Sequence, residues 1–236
     1  MIEHLSLADV HDLAQDCLIR AGTGPDVAHA VAAEIAAAEA AGERPHGMAA
    51  LLRDLRLIRY GRLDPNAACQ DSHPRPGLLH RDAGHGFAPA ALSAAVDGLA
   101  ATARQQGLAL LRLRRASDPG ALIGITARMA AQGLAALAVS GTGAARIAHP
   151  DMARPMVLHR ASPGMMALFL PTTDCEGADD SPLGARVAHE AWVLALDPAT
   201  AGDGLIDTAL RQATAAPEPA GNIALPTELL ERIVTA

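Results

Sequence analysis

The spacing of apolar residues over the first sixty positions is typical of three amphipathic helices. After Ser6, apolar side chains recur at helical spacing, and Asp9 stands three residues later, as in a capping box. Pro25 stands where the first turn of the next helix is expected. The pattern predicts a helix that ends near Gly22, a second over Val27–Ala41 and a third from about Gly47 to Tyr60.

From residue 76 the pattern changes to helices and strands in alternation, which is typical of an α/β layer. The predicted strands read GLLHRD, LALLRLR and LAALAVS, and the predicted helices span Ala88–Gln106 and Ala121–Gln132. The preceding segment, Asp64–Pro76, is predicted to be a loop. Beyond Gly141 the pattern weakens. It predicts strands at Met165–Leu170 and Trp192–Leu196, a polar loop at Asp174–Arg186, and helices at Leu205–Thr214 and Thr227–Val234.

These elements divide the chain into three predicted parts. Residues 1–75 form a helical N-terminal part, and residues 76–185 form an α/β sheet domain. Residues 186–236 supply a strand and helices that pack back on the N-terminal part. With 236 residues, half of them apolar, the chain is long enough to bury a substantial core.

Composition excludes several classes of function. The net charge is −7, the basic residues are dispersed and aromatic residues make up 2%, so the chain lacks the basic footprint of a nucleic-acid binder. Three widely spaced cysteines, Cys17, Cys69 and Cys175, indicate neither a disulfide framework nor a structural zinc site. With no apolar run long enough for a membrane span and no leader pattern at the start, we expect a cytoplasmic protein.

Two consecutive stretches resemble the malate/L-lactate dehydrogenase family. RPHGMAALLRDLRLIRYGRLDPNA, residues 44–67, is similar to the family segment that begins Ser-His-Gly and ends Gly-x-x-Asn-Pro. RDAGHGFAPAALSAAVDGLAATARQQGLALLRLRRAS, residues 81–117, is similar to the family's glycine pair, long helix and strand. The resemblance covers Ala30–Val139, is poor from Gly141 to Ala188, and resumes at EAWVLALDPATAG.

The resemblance implies a fold, an activity and an assembly. The implied fold is a helical N-terminal region with a mixed or largely antiparallel sheet and covering helices, different from the common dinucleotide-binding fold. The implied activity is oxidation or reduction of a small 2-hydroxy, 2-oxo or cyclic imino acid with NAD or NADP, by a homodimer. The family's large middle section, much of which contributes to nicotinamide binding, has no counterpart here, so the chain resembles a shortened and diverged member.

Site residues follow from the resemblance position by position. His46 matches the family's first histidine and is a candidate for acid–base chemistry or substrate binding, although Pro45 replaces the serine before it. Ala50 replaces a common arginine that binds the substrate carboxylate. Arg53, one helical turn further on, is the candidate to replace it.

The strand LALLRLR leads into a turn where the family carries its usual acid–base histidine. Alignment places Asp118 there, beside Ser117, a candidate for substrate binding, and Gly120, a candidate for cofactor binding. Asp118 is either a catalytic acid with a raised pKa or, as we favour, a cap for the following helix. The turn after LAALAVS supplies the other candidates for cofactor phosphate, which are Ser140, Gly141 and Thr142.

Other clusters carry little chemistry. His73, His80, His85 and Asp82 fit no zinc spacing, so no metal is expected. Two hypotheses therefore remain open. In one the chain is a diverged oxidoreductase that uses His46 and an altered pocket. In the other it keeps the scaffold without hydride transfer, as a partner or regulatory subunit, with a second protein chain, or as a repurposed non-redox enzyme.

Overall fold

The computed structural model describes residues 2–141, 144–152, 155–158, 186–201, 213–214 and 221–236. Within these ranges the helices are α1 (Leu7–Arg20), α2 (Pro25–Ala40), α3 (Met48–Arg59), α4 (Ala88–Gln106), α5 (Ile123–Ala131), α6 (Pro198–Ala201) and α7 (Thr227–Val234), with a short 3-10 helix at Arg44–His46. The strands are β1 (Ile2–Ser6), β2 (Gln70–Arg75), β3 (Leu78–Asp82), β4 (Leu108–Ala116), β5 (Ala135–Ser140), β6 (Ala145–Ala148), β7 (Met156–Leu158), β8 (His189–Leu196), β9 (Ala213–Thr214) and β10 (Asn222–Pro226).

The N-terminal helices build the first of two apolar cores. α1 begins at the predicted capping box, in which the Asp9 N–H donates to Ser6 Oγ and the Ser6 N–H donates to the Asp9 carboxylate. Leu18 of α1 and Leu51 of α3 are fully buried, and Ile233 of α7 packs into the same cluster. The three helices predicted over the first sixty residues are confirmed.

An eight-stranded sheet carries the second core. Its strand order is β2-β3-β4-β8-β5-β6-β7-β9. Among the described strands, β3 and β4 form the one parallel pair, and the other pairs are antiparallel. α4 and α5 cover the sheet through residues such as Leu99 and Met129, which are buried against Leu111 of β4. The expected α/β fold with a mixed, largely antiparallel sheet is confirmed.

The strand predicted at Trp192–Leu196 lies in the middle of this sheet. β8 pairs antiparallel with β4 on one side and with β5 on the other, so Trp192 stands opposite both Arg112 and Val139. Its residues Ala191, Val193 and Ala195 are buried in the core of the sheet. β10 and α7 do contact the N-terminal helices. The division into three domains itself stays a prediction.

Six of the described strands were not predicted: β1, β2, β6, β7, β9 and β10. β2 lies in the expected loop Asp64–Pro76. All its side chains are exposed, so it shows no alternation of apolar and polar residues. It is an edge strand of the sheet, a position in which Pro74 is tolerated. β1 pairs with β10 in a separate two-stranded sheet. The expected strand Met165–Leu170 and most of the loop Asp174–Arg186 and the helix Leu205–Thr214 lie outside the described residues, while residues 213–214 form β9.

In the part of the chain that the structure describes, no helix is both long and apolar enough to cross a membrane.

Candidate active site

Two buried carboxylates of α2 hold the segments that form the site. Glu39 accepts the N–H of Met48 at 2.7 Å and so caps the start of α3, directly after His46. Glu34 accepts the N–H groups of Ile123 and Gly124 at 2.9 and 2.8 Å and so caps the start of α5. A carboxylate is favourable at a helix N-terminus because it satisfies free N–H groups and the helix dipole. α2 therefore positions the segment before α3 and the segment before α5 against each other.

His46, Arg53 and Asp118 meet at this junction. Asp118 Oδ2 lies 3.2 Å from Arg53 Nη1 and 3.8 Å from His46 Nδ1. The Asp118 side chain is 9% exposed, whereas that of Arg53 is 38% exposed. His46 Nδ1 is buried, and no hydrogen bond from the described residues reaches it. The structure thus brings together three residues that the sequence predicted from two separate segments.

Asp54 joins this cluster and was not predicted. Its Oδ1 lies 3.5 Å from Arg53 Nε and is buried with no hydrogen-bond partner among the described residues. Burial raises the pKa of Asp54 to about 6; the Arg53 guanidinium acts against this rise, and the Asp118 carboxylate adds to it. Asp54 therefore keeps its proton to a higher pH than an ordinary aspartate does.

His189, at the start of β8, is the second residue that sequence reasoning missed. It stands opposite Ala116 of β4, two residues before Asp118. Burial lowers the pKa of His189; the Asp118 charge acts against this and Arg53 adds to it. The lowered pKa favours the neutral form of the His189 imidazole. His189 is close enough to Asp118 and Arg53 for both charges to act on it.

The expectation that Asp118 caps the following helix is wrong. α5 begins after Leu122, and the carboxylate that accepts its first N–H groups belongs to Glu34. Asp118 Oδ1 instead accepts the Gly120 N–H at 3.0 Å within the turn. Its other oxygen is turned to Arg53, so Asp118 belongs to the site and not to the helix end.

Ser117 has a structural contact. Its side chain is fully buried, and Oγ accepts the N–H of Ala88 at 3.0 Å in the first turn of α4. This hydroxyl joins the end of β4 to the start of α4. Its predicted part in substrate binding is not supported by these contacts.

Three of the four predicted cofactor residues, Gly120, Ser140 and Gly141, are described by the structure. A phosphate would need free backbone N–H groups, but those in these two turns already donate within the protein: Gly120 to Asp118, Ser140 to the Ala144 carbonyl at 2.8 Å, and Gly141 to the Glu190 carbonyl at 2.9 Å. The Ser140 hydroxyl accepts the Ala144 N–H. Thr142 lies outside the described residues. The backbone N–H groups of Gly120, Ser140 and Gly141 are therefore not available to a cofactor phosphate in this structure.

Ala50 is a buried residue of α3. It is 6% exposed, so the position at which the family commonly carries an arginine faces the interior here. Arg53, one turn further on, is the arginine that reaches the site.

Two of the four residues considered for a metal site, His85 and Asp82, have other partners. His85 Nδ1 lies 2.8 Å from the Val187 carbonyl, and Asp82 pairs with Arg114 and Arg115. Within the described residues, no group of three potential metal ligands comes together.

Known proteins resemble this chain in sequence and in fold. A family model described as malate/L-lactate dehydrogenase matches residues 5–158. A Delta(1)-pyrroline-2-carboxylate reductase from Ancylobacter novellus is 38% identical over 109 residues, which are 46% of this chain and 32% of that protein. The match thus spans about a third of that relative's length.

Solved structures extend the likeness in fold. A dehydrogenase from Sinorhizobium meliloti superposes with a TM-score of 0.76 at 17% identity, over 100% of this chain and 99% of that one. A delta1-piperideine-2-carboxylate reductase from Pseudomonas syringae superposes with a TM-score of 0.73 at 19% identity, over 98% of both chains. At these identities the likeness concerns the fold alone.

Proposed function

The chain belongs to the malate/L-lactate dehydrogenase family, and on that premise we propose that it is an oxidoreductase that reduces a small cyclic imino acid with NAD(P)H. The relative at 38% identity is a reductase of such an acid, which favours a cyclic imine over a 2-oxo or 2-hydroxy acid. The substrate, the cofactor and a homodimeric assembly are all part of the proposal.

One observation carries this proposal. His46, Arg53 and Asp118 come from two separate segments, and they meet within 3.2 to 3.8 Å at a junction where polar atoms are buried without partners. Buried polar atoms without partners are uncommon in native structures, and a ligand is one way to satisfy them. The cluster combines the Arg53 guanidinium, which can bind a substrate carboxylate, with the His46 and Asp118 side chains, which can exchange protons.

The charge and the exposure of each cluster residue determine the role that we assign to it. Reduction of a cyclic imine needs a hydride, which NAD(P)H supplies, and a proton at the imine nitrogen. Arg53, the most exposed member, is placed to bind the substrate carboxylate through its planar guanidinium. Asp118 Oδ2 and His46 Nδ1 lie 3.8 Å apart, and these two side chains are the candidates to pass the proton. Asp54, with its pKa raised to about 6, lies behind Arg53 and gains or loses a proton near that pH.

A second candidate function is the same scaffold without hydride transfer, as a partner or regulatory subunit or as a repurposed non-redox enzyme. Two observations favour it. Ala50 is buried where the family commonly has an arginine, and the N–H groups of Gly120, Ser140 and Gly141 are already bonded within the protein. This candidate predicts that purified protein associates with a second chain or shows no response to NADH or NADPH.

Cofactor binding and turnover separate the two candidates. A cofactor at roughly 100 times its dissociation constant stabilises the fold by about 2.7 kcal/mol, which a thermal unfolding assay resolves. We expect such a shift with NADH or NADPH, together with cofactor oxidation in the presence of Δ1-pyrroline-2-carboxylate.

Single substitutions then test the proposed roles of His46 and Asp118. We expect His46→Ala to lower kcat by about a hundredfold or more while the cofactor-induced shift stays intact. His73→Ala, which changes an exposed histidine of β2, is the matched control and should leave turnover unchanged. No shift and no turnover with either cofactor would contradict the reductase proposal. Nicotinamide-dependent activity that appears only in Asp118→His would support the second candidate.

A further inference from the structure

A groove between α3 and α7 concentrates positive charge. It has a volume of about 670 Å³, and its charged side chains are all arginines: Arg53, Arg56, Arg59, Arg62 and Arg232. The chain as a whole carries a net charge of −7 and has 19 basic residues, so five arginines in one groove are a marked local concentration. Like charges held together repel one another unless an anion lies between them.

Three of these arginines have no partner among the described residues. Arg56, Arg59 and Arg232 are exposed, and no ion pair or side-chain hydrogen bond with the described residues engages them. Arg53 is paired with Asp118 and Asp54. A carboxylate at Ala236 would offset one of the arginine charges, and the groove would still have a net positive charge.

The arginines form a row along one side of α3. Arg53, Arg56 and Arg59 follow one another at intervals of three residues, so they rise by roughly 4.5 Å per step along the helix axis. Arg232 lines the groove from α7. Such a row suits an extended anion better than a single carboxylate, because successive guanidinium groups can each bind a different phosphate oxygen pair.

The remaining lining adds an apolar floor and an aromatic ring. Leu52, Leu57 and Leu229 line the groove between the arginines. Tyr60 lines it as well and is 51% exposed, which leaves a ring face open for stacking against a planar group. An anionic ligand with an attached ring system would use both features.

We propose that the α3–α7 groove binds a small molecule that carries two or more linked phosphates, such as a nucleoside diphosphate. The groove residues Arg56, Arg59 and Arg232 lie outside the cluster of His46 and Asp118. For a free nucleotide the site goes beyond the proposed reductase function, and for a nicotinamide dinucleotide it rests on that function. The linked phosphates have two possible sources, a free nucleotide and a nicotinamide dinucleotide, and the experiment separates them.

The first measurement uses inorganic pyrophosphate. We titrate the full chain by isothermal titration calorimetry at low ionic strength and compare pyrophosphate with orthophosphate and sulfate. A row of arginines predicts saturable pyrophosphate binding at least about tenfold tighter than that of either single anion. Equal affinity for sulfate, or no saturable binding of pyrophosphate, would overturn the proposal.

The second measurement locates the binding. In Arg56→Gln/Arg59→Gln we expect the dissociation constant for pyrophosphate to rise at least about tenfold, since charge-assisted contacts are lost. Arg75→Gln/Arg104→Gln removes the same two charges at exposed positions outside the groove and should leave binding unchanged. Equal weakening in both variants would mean that only net charge matters, and would overturn the site. Unfolding temperatures of both variants check that the fold is intact.

ADP and NADPH then distinguish the source of the phosphates. If the Arg56→Gln/Arg59→Gln variant loses affinity for ADP but not for NADPH, the groove binds a free nucleotide. If it loses affinity for both, the groove binds the dinucleotide. Either result supports the proposal, and an unchanged affinity for pyrophosphate, ADP and NADPH contradicts it. Because the readout is binding, a failure of the reductase proposal leaves this test intact.

Discussion

Asp54 gives the sharpest prediction about stability. Its carboxylate is buried beside Arg53, and the attraction of Arg53 does not compensate for the loss of hydration, since its pKa rises to about 6. A charged Asp54 is therefore a net cost to the folded state at neutral pH. The substitution Asp54→Asn keeps the size of the side chain and removes the charge, so it should stabilise the protein.

The magnitude follows from the change in pKa. The ordinary value is 3.8, and each pKa unit corresponds to about 1.4 kcal/mol, so the rise to about 6 corresponds to roughly 3 kcal/mol. Below pH 3.8 Asp54 is protonated in both the folded and the unfolded state, and the cost is absent. Between pH 3.8 and 6 only the folded state keeps the proton, so the stability due to Asp54 falls as the pH rises. Above pH 6 the full cost is present.

The assay is urea denaturation of wild type and Asp54→Asn between pH 4 and pH 8. We expect Asp54→Asn to be more stable than wild type by up to about 3 kcal/mol at pH 8, and the gain to shrink toward zero at pH 4. Asp16→Asn, at an exposed position of α1, is the matched control and should show no such dependence. An equal gain in the free energy of unfolding at pH 4 and at pH 8, or a loss of stability at pH 8, would refute the reasoning.

Three further substitutions test how the site is held. Glu34→Gln turns one acceptor at the start of α5 into a donor. It should lower the free energy of unfolding, measured by urea denaturation at pH 7, by about 1 to 3 kcal/mol. An unchanged denaturation midpoint would contradict this capping role. Gly47→Ala should cost a similar amount, about 1 to 3 kcal/mol, because the new Cβ would overlap the Glu39 carboxylate and displace it from α3; a thermal unfolding scan checks this, and an unaltered melting temperature would speak against it. Ser117→Ala should cost about 1 kcal/mol by calorimetry, since the Ala88 N–H loses its acceptor; an equally stable variant would show that water replaces the hydroxyl.

The sequence predicted what depends on local patterns. The capping box at Ser6 and the helix Ala88–Gln106 are confirmed. The largely antiparallel sheet, which is also confirmed, was implied by the resemblance to the family. His46, Arg53 and Asp118 could be named because a resemblance to a family assigns roles to positions along the chain. Their distances from one another could not be known, since they depend on α2, whose Glu34 caps a helix almost ninety residues away.

The residues that were missed depend on tertiary packing. Asp54 lies among the apolar positions of α3, and an acid within such a stripe is a signal that sequence reasoning could have used. His189 stands at the head of β8, and its place opposite Ala116 follows only from the register of the sheet. The capping role given to Asp118 was wrong for the same reason, because the true cap comes from a distant helix.

The central claim is that the cluster around Asp118 performs reductive chemistry on a small cyclic imino acid. The most direct test is the initial rate of NADPH or NADH oxidation with Δ1-pyrroline-2-carboxylate for wild type, Asp118→Asn and the exposed control Asp16→Asn at pH 7. The account predicts turnover by wild type and by the control, and a loss of about a hundredfold or more in Asp118→Asn. Full activity in Asp118→Asn, or no turnover by wild type with either cofactor, would contradict it.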